Sequence, residues 1–255
     1  MNQDLLSFSV ITVCFNSAET LARAIQSVAD QDFPRVEHIV IDGASADGTL
    51  QVIEKYSDSL ARVISEPDRG IYDAMNKGLA LATGDVICFL NADDFYDSTQ
   101  ILSTVATMMQ KDQLDALVGD VGFFRKENIN RIVRHYRSDR FKPERLAWGW
   151  MPAHPALFMR REVFKRVGLF KTNYKIAADY EYVVRAFCGQ QPLRYKHLPV
   201  VLVRMQMGGV STNGIQATIL LNQEIIRACR ENGVSTNYFK LLIKYPIKLL
   251  EFFRP

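Results

Sequence analysis

The sequence predicts an α/β protein: a mostly parallel central sheet with helices on both faces, followed by a less regular half and C-terminal helices. Three observations predict it. Apolar, β-branched runs recur at "FSVITV" (8–13), "HIVID" (38–42), "ARVIS" (61–65) and "DVICFL" (85–90). Segments of about ten residues with helical spacing separate them, and strands that read as unbroken apolar runs belong to sheets covered on both faces. Polar residues then follow the strand ends: Asn16, Asp42, Glu66 with Asp68, and Asn91 with Asp93 and Asp94. In sheets of this kind ligands bind beyond the carboxyl ends of the strands, so these groups gather on one edge.

The elements follow in order. After the first strand, "NSAETLARAIQSV" carries Leu21, Ile25 and Val28 at helical spacing, and Asn16 followed by Glu19 reads as a helix start. The next helices are "TLQVIEKY" (49–56) and "GIYDAMNKGLALA" (70–82). Beyond Gly119 the alternation loosens. "GFFRKENINRIVRHY" reads as two strands around a Glu-Asn turn, and "RFKPERLAWGWMPAHPALF", with three of the nine prolines, reads as loop. "RREVFKRVG" (160–168) is a short helix stopped by Gly168; "ADYEYVVRAF" starts another, with Asp179 near its N-terminus, where a carboxylate is favoured. "VVLVRM" (200–205) is a strand and "ATILLNQEIIRACREN" a helix.

The bulk numbers exclude several classes. With 255 residues, 48% hydrophobic and 23% charged, the chain is globular rather than disordered. A net charge of +3, without a basic run interleaved with aromatics in the first two thirds, argues against nucleic acid. Cys14, Cys88, Cys188 and Cys229 lie far apart with no CxxC pair, so they are expected as reduced thiols in a cytoplasmic chain. The start, "MNQDLLSFSV", has no basic region ahead of an apolar stretch, so no secretory signal is expected. No run approaches the roughly 18 to 20 apolar residues of a membrane span.

The chemistry concentrates in three segments. Asp93 and Asp94, adjacent after a buried strand, repel one another unless a cation or strong donors compensate them. A divalent hard metal does so with one or two carboxylates, taking its remaining ligands from water and substrate phosphates. The alternative is a solvated turn that caps the next helix through Asp97 or Ser98. "IDGASADGT" ends a strand in Asp42 and brackets a polar loop with Gly43 and Gly48; such an acid holds a ribose or base edge, or else caps a turn. "SEPDRGIYDAMNKGLALATGD" offers Asp68 as a helix cap. No GxGxxG follows the first strand, where "VCFNSAET" has no glycine, and no Walker-type loop is present.

In order and spacing, "SVITVCFN", "VIDGASADGT" and "DRGIYDAMNKGLALATGDVICFLNADD" resemble the inverting glycosyltransferases of family 2, which have a GT-A fold and use nucleotide-diphosphate sugars. The resemblance covers residues 8–98, with weaker marks to about residue 212. It implies that Asp42 contacts the base or ribose of a UDP- or GDP-sugar, with Thr12 to Phe15 and Asn16 lining the same pocket. Asp68, Arg69 and Asn76 would line the donor site. "NADD" stands where the family's metal-binding DxD lies, Asn91 replacing its first acid. A divalent ion, Mn2+ or Mg2+, then rests on Asp93 or Asp94, with Asn91 and Ala92 beside it.

An inverting transfer needs a general base across the sugar from the metal. The resemblance places it at Asp179, where the preceding family Glu is Ala178; the alternative for Asp179 is a helix cap. Glu181 would face elsewhere or support the site. His154 and "GGVST", with Ser211, resemble acceptor-side or diphosphate-side loops, and Arg204 would face a phosphate or lie on a strand surface. The rival enzyme class is a nucleotidyltransferase; a third reading is an inactive sugar-nucleotide binding module.

The tail, "YFKLLIKYPIKLLEFFRP", sets Lys240, Lys244 and Lys248 every four residues among apolar side chains. That pattern suits a helix lying on an anionic membrane, or an ordinary packed helix. The expected organisation is one GT-A domain over 1–235, with a nucleotide-sugar half (8–120) and an acceptor half (121–215), and a basic amphipathic helix over 236–255. The enzyme would sit peripherally on the inner face of the cell membrane and act on a saccharide or polyprenyl-diphosphate-linked acceptor in exopolysaccharide assembly.

Overall fold

The computed structural model describes residues 5–208 and 214–243. Nine strands form one sheet: β1 (Phe8–Cys14), β2 (Val36–Asp42), β3 (Arg62–Ser65), β4 (Val86–Phe89), β5 (Phe95–Tyr96), β6 (Ala116–Arg125), β7 (Asn128–Tyr136), β8 (Leu157–Arg160) and β9 (Tyr195–Gln206). Their order is β3-β2-β1-β4-β8-β6-β9-β5, with β7 paired to β6. The helices are α1 (Leu21–Ala29), α2 (Thr49–Lys55), α3 (Ile71–Leu81), α4 (Ile101–Lys111), α5 (Arg161–Val167), α6 (Ala178–Phe187) and α7 (Gly214–Glu231).

The first four strands pair in parallel, as the apolar runs require. Side chains alternate across a strand, and both faces of β1 are buried. Phe8 and Val10 enter a cluster with Leu102, Val105 and Met109 of α4, whereas Ile11 and Val13 pack with Tyr72 and Met75 of α3. The helix α3 lies unusually close to the sheet. A side chain at Gly78 would collide with Ile11, so glycine there sets the spacing of helix and strand.

The second half is mixed. β8 runs antiparallel to both β4 and β6, β7 is antiparallel to β6, and β9 is parallel to β6 but antiparallel to β5. This departs from a reading of loop over 140–158: its last two residues open β8, whose "LFMR" is buried between two neighbours. Such a strand is specified by partners distant in sequence, not by its own length. β5, of two residues, escapes periodicity for the same reason.

Parallel register aligns the strand ends. Cys14 pairs with Asp42, and Asp42 with Ser65, so three loops leave the sheet side by side. No helix among the described residues is long and apolar enough to cross a membrane.

Candidate active site

The loops after β1 and β2 are laced together. Asn16 takes a positive φ of 49°, which asparagine tolerates. Its N–H donates to Ser45 Oγ at 2.7 Å, and its side-chain oxygen accepts from the Ala46 N–H at 2.9 Å. Asp42 holds the second loop from beneath. Its fully buried carboxylate accepts from the Ser45 N–H (3.0 Å), Ser45 Oγ (2.5 Å), Ser65 Oγ (2.7 Å) and the Cys14 thiol (3.7 Å). Burial alone would raise its pKa, but these donors outweigh burial and hold it below the ordinary value.

Above this floor sit Phe15, 63% exposed, and Asp68. Gly43 lets them converge. A Cβ at position 43 would stand 2.5 Å from Asp68 Oδ2 and 3.4 Å from the Phe15 ring. Asp68 Oδ1 accepts from the Gly70 N–H at 2.8 Å, fixing the entry to α3. An exposed aromatic face beside a carboxylate oxygen can stack a base and bind a hydroxyl.

The turn after β4 carries the second group. Asp94 is 1% exposed; its Oδ2 accepts from Asn91 Nδ2 at 3.0 Å, and its N–H donates to the Asn91 carbonyl at 3.1 Å. Burial pushes its pKa well up, and the charge of Asp93 adds to that. Asp93, half-buried, is also raised by burial, with Arg23 opposing. Arg23 Nη2 reaches the Asp93 carbonyl at 3.3 Å, and its guanidinium lies over Phe95 and Phe124 at 5.0 and 5.1 Å.

No group of three or more His, Cys, Asp or Glu able to hold a metal occurs among the described residues. Two crowded acids whose ionisation is penalised nonetheless suit Mg2+ or Mn2+, which need few protein ligands. Asp94 is engaged by Asn91 and the Gln206 backbone, whereas Asp93 is only half-buried.

Asp179 lies half-buried in the first turn of α6, where the helix dipole favours a carboxylate. Its Oδ1 accepts from the Tyr180 N–H at 2.8 Å and from the Tyr72 hydroxyl at 3.3 Å, a bond that ties α3 to α6. The His154 ring stacks on Phe89 at 5.3 Å. Burial pushes its pKa down, with the nearby Asp179 charge opposing, so the imidazole is neutral near pH 7.

The other expected site residues have the following surroundings. Thr12 is fully buried, its hydroxyl 2.9 Å from His38 Nε2, because its side chain faces the core of the sheet. Ala92 is buried too. Asn76 clamps Phe170, giving one bond to its carbonyl (2.9 Å) and taking one from its N–H (2.8 Å). Exposed Arg69 pairs with Asp73 at 2.9 Å. Glu181, 0% exposed, meets Lys171 at 2.9 Å and Arg185 at 2.8 Å, a network on another face of α6 from Asp179. Arg204 pairs with Asp97 across β9 and β5, the strand-surface alternative. Ser211 and residues 244–255 of the tail lie outside the described residues.

The family described as Glycosyl transferase family 2 matches residues 9–168, which takes in both acid groups and His154. The chain belongs to glycosyl transferase family 2. A PGL/p-HBAD biosynthesis glycosyltransferase of Mycobacterium bovis (strain BCG / Pasteur 1173P2) is 30% identical over 218 residues, 84% of this chain and 82% of the relative. Two solved structures share the fold. One is S. aureus TarS 1-349 in complex with UDP-GlcNAc, with a TM-score of 0.67 at 21% identity, covering 87% of this chain and 67% of that one. The other is the mannosyltransferase PcManGT from Pyrobaculum calidifontis in complex with GDP-Man and Mn2+, with a TM-score of 0.65 at 20% identity, covering 90% and 64%. The chain thus spans about two thirds of the length of each structure, and at these identities the likeness shows the fold alone.

Within this family 2 glycosyltransferase, sequence reasoning missed Arg23 and Tyr72. Arg23 sits on α1, one turn past a loop already marked as polar, and Tyr72 follows the "DRG" stretch. Their positions adjoin the marked loops, but only the packing of α1 and α3 shows which acids they touch.

Proposed function

We propose that this glycosyltransferase moves a sugar, with inversion, from a UDP- or GDP-sugar to a hydroxyl of a saccharide acceptor carried on polyprenyl diphosphate, in cell-surface polysaccharide assembly. The arrangement of acids carries this reading: Asp93 and Asp94 crowd together past β4, while Asp179, at the start of α6, is tied to α3 by Tyr72 and lies near His154, which stacks on Phe89 at the end of β4. Phe15 stacks the base, with Asp42, Asn16 and Asp68 shaping the pocket around the nucleoside. Asp93 is the direct metal ligand, and Asn91 and Asp94 orient the turn that presents it. When bound, Mn2+ or Mg2+ supplies the positive charge that stabilises the departing diphosphate.

Asp179 is the general base. Its Oδ1 is committed to Tyr72 and to the backbone, leaving Oδ2 to take the acceptor proton. As the acceptor oxygen bonds to the anomeric carbon, the bond from that carbon to the diphosphate oxygen breaks on the opposite face. The electron pair leaves with the nucleoside diphosphate, and solvent later removes the proton from Asp179. Neutral His154, stacked on Phe89, lines the acceptor side.

Residues 1–235 act as one catalytic domain, with the donor half over 8–120 and the acceptor half over 121–215. The tail docks the enzyme on the cytoplasmic face of the membrane. Supporting this, Tyr238, Phe239 and Leu242 stand exposed together, while Lys240 lies 5.6 Å from the centre of the Trp148 ring.

The test replaces Asp179 by Asn and reads nucleoside diphosphate release together with thermal stabilisation by UDP-GlcNAc and GDP-mannose, with and without manganese. Turnover is expected to fall about 10³-fold with donor stabilisation kept. Unchanged turnover would remove Asp179 from the chemistry.

A further inference from the structure

Outside the crevice, the edge strand β7 and the segment that follows it enclose a second cavity of about 380 Å³. Arg134, Arg137, Arg140 and Arg145 all line it, against the single carboxylate of Asp139. Arg137, Arg140 and Arg145 are exposed and form no ion pair with any carboxylate of the described residues. Guanidinium groups that outnumber the carboxylates beside them repel one another and are stabilised by an anion with several oxygens.

A second observation is independent of the arginines. Ser138, which also lines the cavity, is only 3% exposed, and its hydroxyl has no hydrogen-bond partner. A buried hydroxyl left unpaired is destabilising, and an acceptor oxygen on a ligand would relieve that cost. Its backbone is fixed. The Ser138 N–H donates to Asp120 Oδ1 at 2.8 Å, and that oxygen also meets His197 Nε2 at 2.7 Å. The apolar part of the wall includes Trp150 and Met151, and the Tyr136 hydroxyl donates to the Met151 carbonyl at 2.7 Å, closing the cavity on that side.

We infer that this cavity is a phosphoryl-binding site for the acceptor substrate, holding its phosphate or diphosphate on Arg137, Arg140, Arg145 and Ser138. The inference rests on the transfer reading above. Only two residues separate Met151 from His154, at most about 11 Å of chain, so a phosphate held here lies near His154. Trp150 and Met151 would carry the first isoprene units of a lipid-linked acceptor.

The experiment titrates inorganic pyrophosphate, at fixed ionic strength and without metal, into the full ¹⁵N-labelled chain. The signals read are the Ser138 amide and the Trp150 indole N–H. Saturable shifts at both are expected. They should weaken about tenfold in the double variant Arg137→Gln, Arg140→Gln and also in Ser138→Ala, which keeps the backbone bond to Asp120. Farnesyl diphosphate separates the sources: tighter binding than pyrophosphate assigns the site to a lipid-linked acceptor, and equal binding assigns it to the phosphoryl group alone. Shifts that never saturate, or that persist in both variants, overturn the inference. So does binding to phosphatidylglycerol vesicles with none to the soluble diphosphates. UDP-GlcNAc and GDP-mannose titrations, read at Gly43 and Asp93, test the donor reading separately, so either can fail alone.

Discussion

Asp42 and Asp94 are equally inaccessible acids at one edge of one sheet, yet their pKa values move in opposite directions. Asp42 is surrounded by donors from Ser45, Ser65 and Cys14, so burial does not neutralise it and its pKa is lowered. Asp94 has Asn91 and a backbone contact to set against burial and the charge of Asp93, and its pKa rises. The difference separates two kinds of functional acid. One is satisfied by the protein and shapes a loop; the other is left short of positive charge, which the proposed metal ion would supply.

Removing the unsatisfied charge should break the comparison most sharply. Asp93→Asn keeps the shape of the turn, removes the repulsion on Asp94 and deletes the proposed metal ligand. Transfer is expected to fall at least about 10²-fold, while the metal-free protein unfolds at the same or a higher temperature. Paired assays of turnover and thermal unfolding check this; a loss of stability equal to that of an ordinary buried substitution would make the turn structural.

The opposite pattern is expected at Asp42. Asn in its place offers one acceptor oxygen to the four donors gathered there, leaving Ser45, Ser65 or Cys14 unpaired in a buried site. The cost is about 2–3 kcal/mol of stability, measurable by urea unfolding, and added manganese does not restore it. Rescue by manganese would show that the two acids share one role.

The parallel part of the sheet, residues 8–90, was legible in the sequence because local features encode it. Apolar runs and helical spacing located β1 to β4 with α1 to α3, and register then placed Cys14, Asp42 and Ser65 together. The mixed part of the sheet was less legible. β8 and β5 exist only through partners far along the chain, and a proline-bearing stretch that pairs nowhere locally reads as loop. The side-chain roles divide in the same way. That Asp93 and Asp94 repel follows from adjacency, but that Asn76 holds Phe170, or that Glu181 belongs to a buried ion network, depends on contacts with other segments. The arginines of the second cavity were spread over 134–145 without any spacing rule; the turn after β7 collects them.

The same contrast predicts opposite pH responses. For Asp93 and Asp94 the folded pKa lies above the unfolded value, so the folded state binds more protons as pH rises past the ordinary carboxylate range. Their contribution therefore falls with rising pH from about pH 4 upward. For Asp42 the folded pKa lies below the unfolded value, so its contribution is present above about pH 4 and is lost as pH falls through the folded pKa. Unfolding temperatures taken with and without manganese should therefore diverge between about pH 4 and 7, by a few degrees, and the divergence should vanish in Asp93→Asn. A manganese effect independent of pH would mean that the ion binds elsewhere.

Gly43→Ala tests the border between the two kinds of acid with the smallest effect. The new methyl would stand 2.5 Å from Asp68 Oδ2, closer than packed atoms allow, so something must yield. The Asp68 carboxylate is the part free to turn: Oδ1 holds only the Gly70 N–H, and the residue is half-exposed. Asp42 lies beneath the loop on its own four donors and is not pushed. Stability should therefore change by less than about 1 kcal/mol. The displaced oxygen and the Phe15 face, at 3.4 Å from the same methyl, are the proposed nucleoside contacts. A rise of a few-fold in KM for the donor, with kcat preserved, is the expected signature of lost binding that is equal in ground and transition states. A fall in kcat with KM unchanged would instead place Asp68 in the chemistry and move the nucleoside pocket away from Gly43.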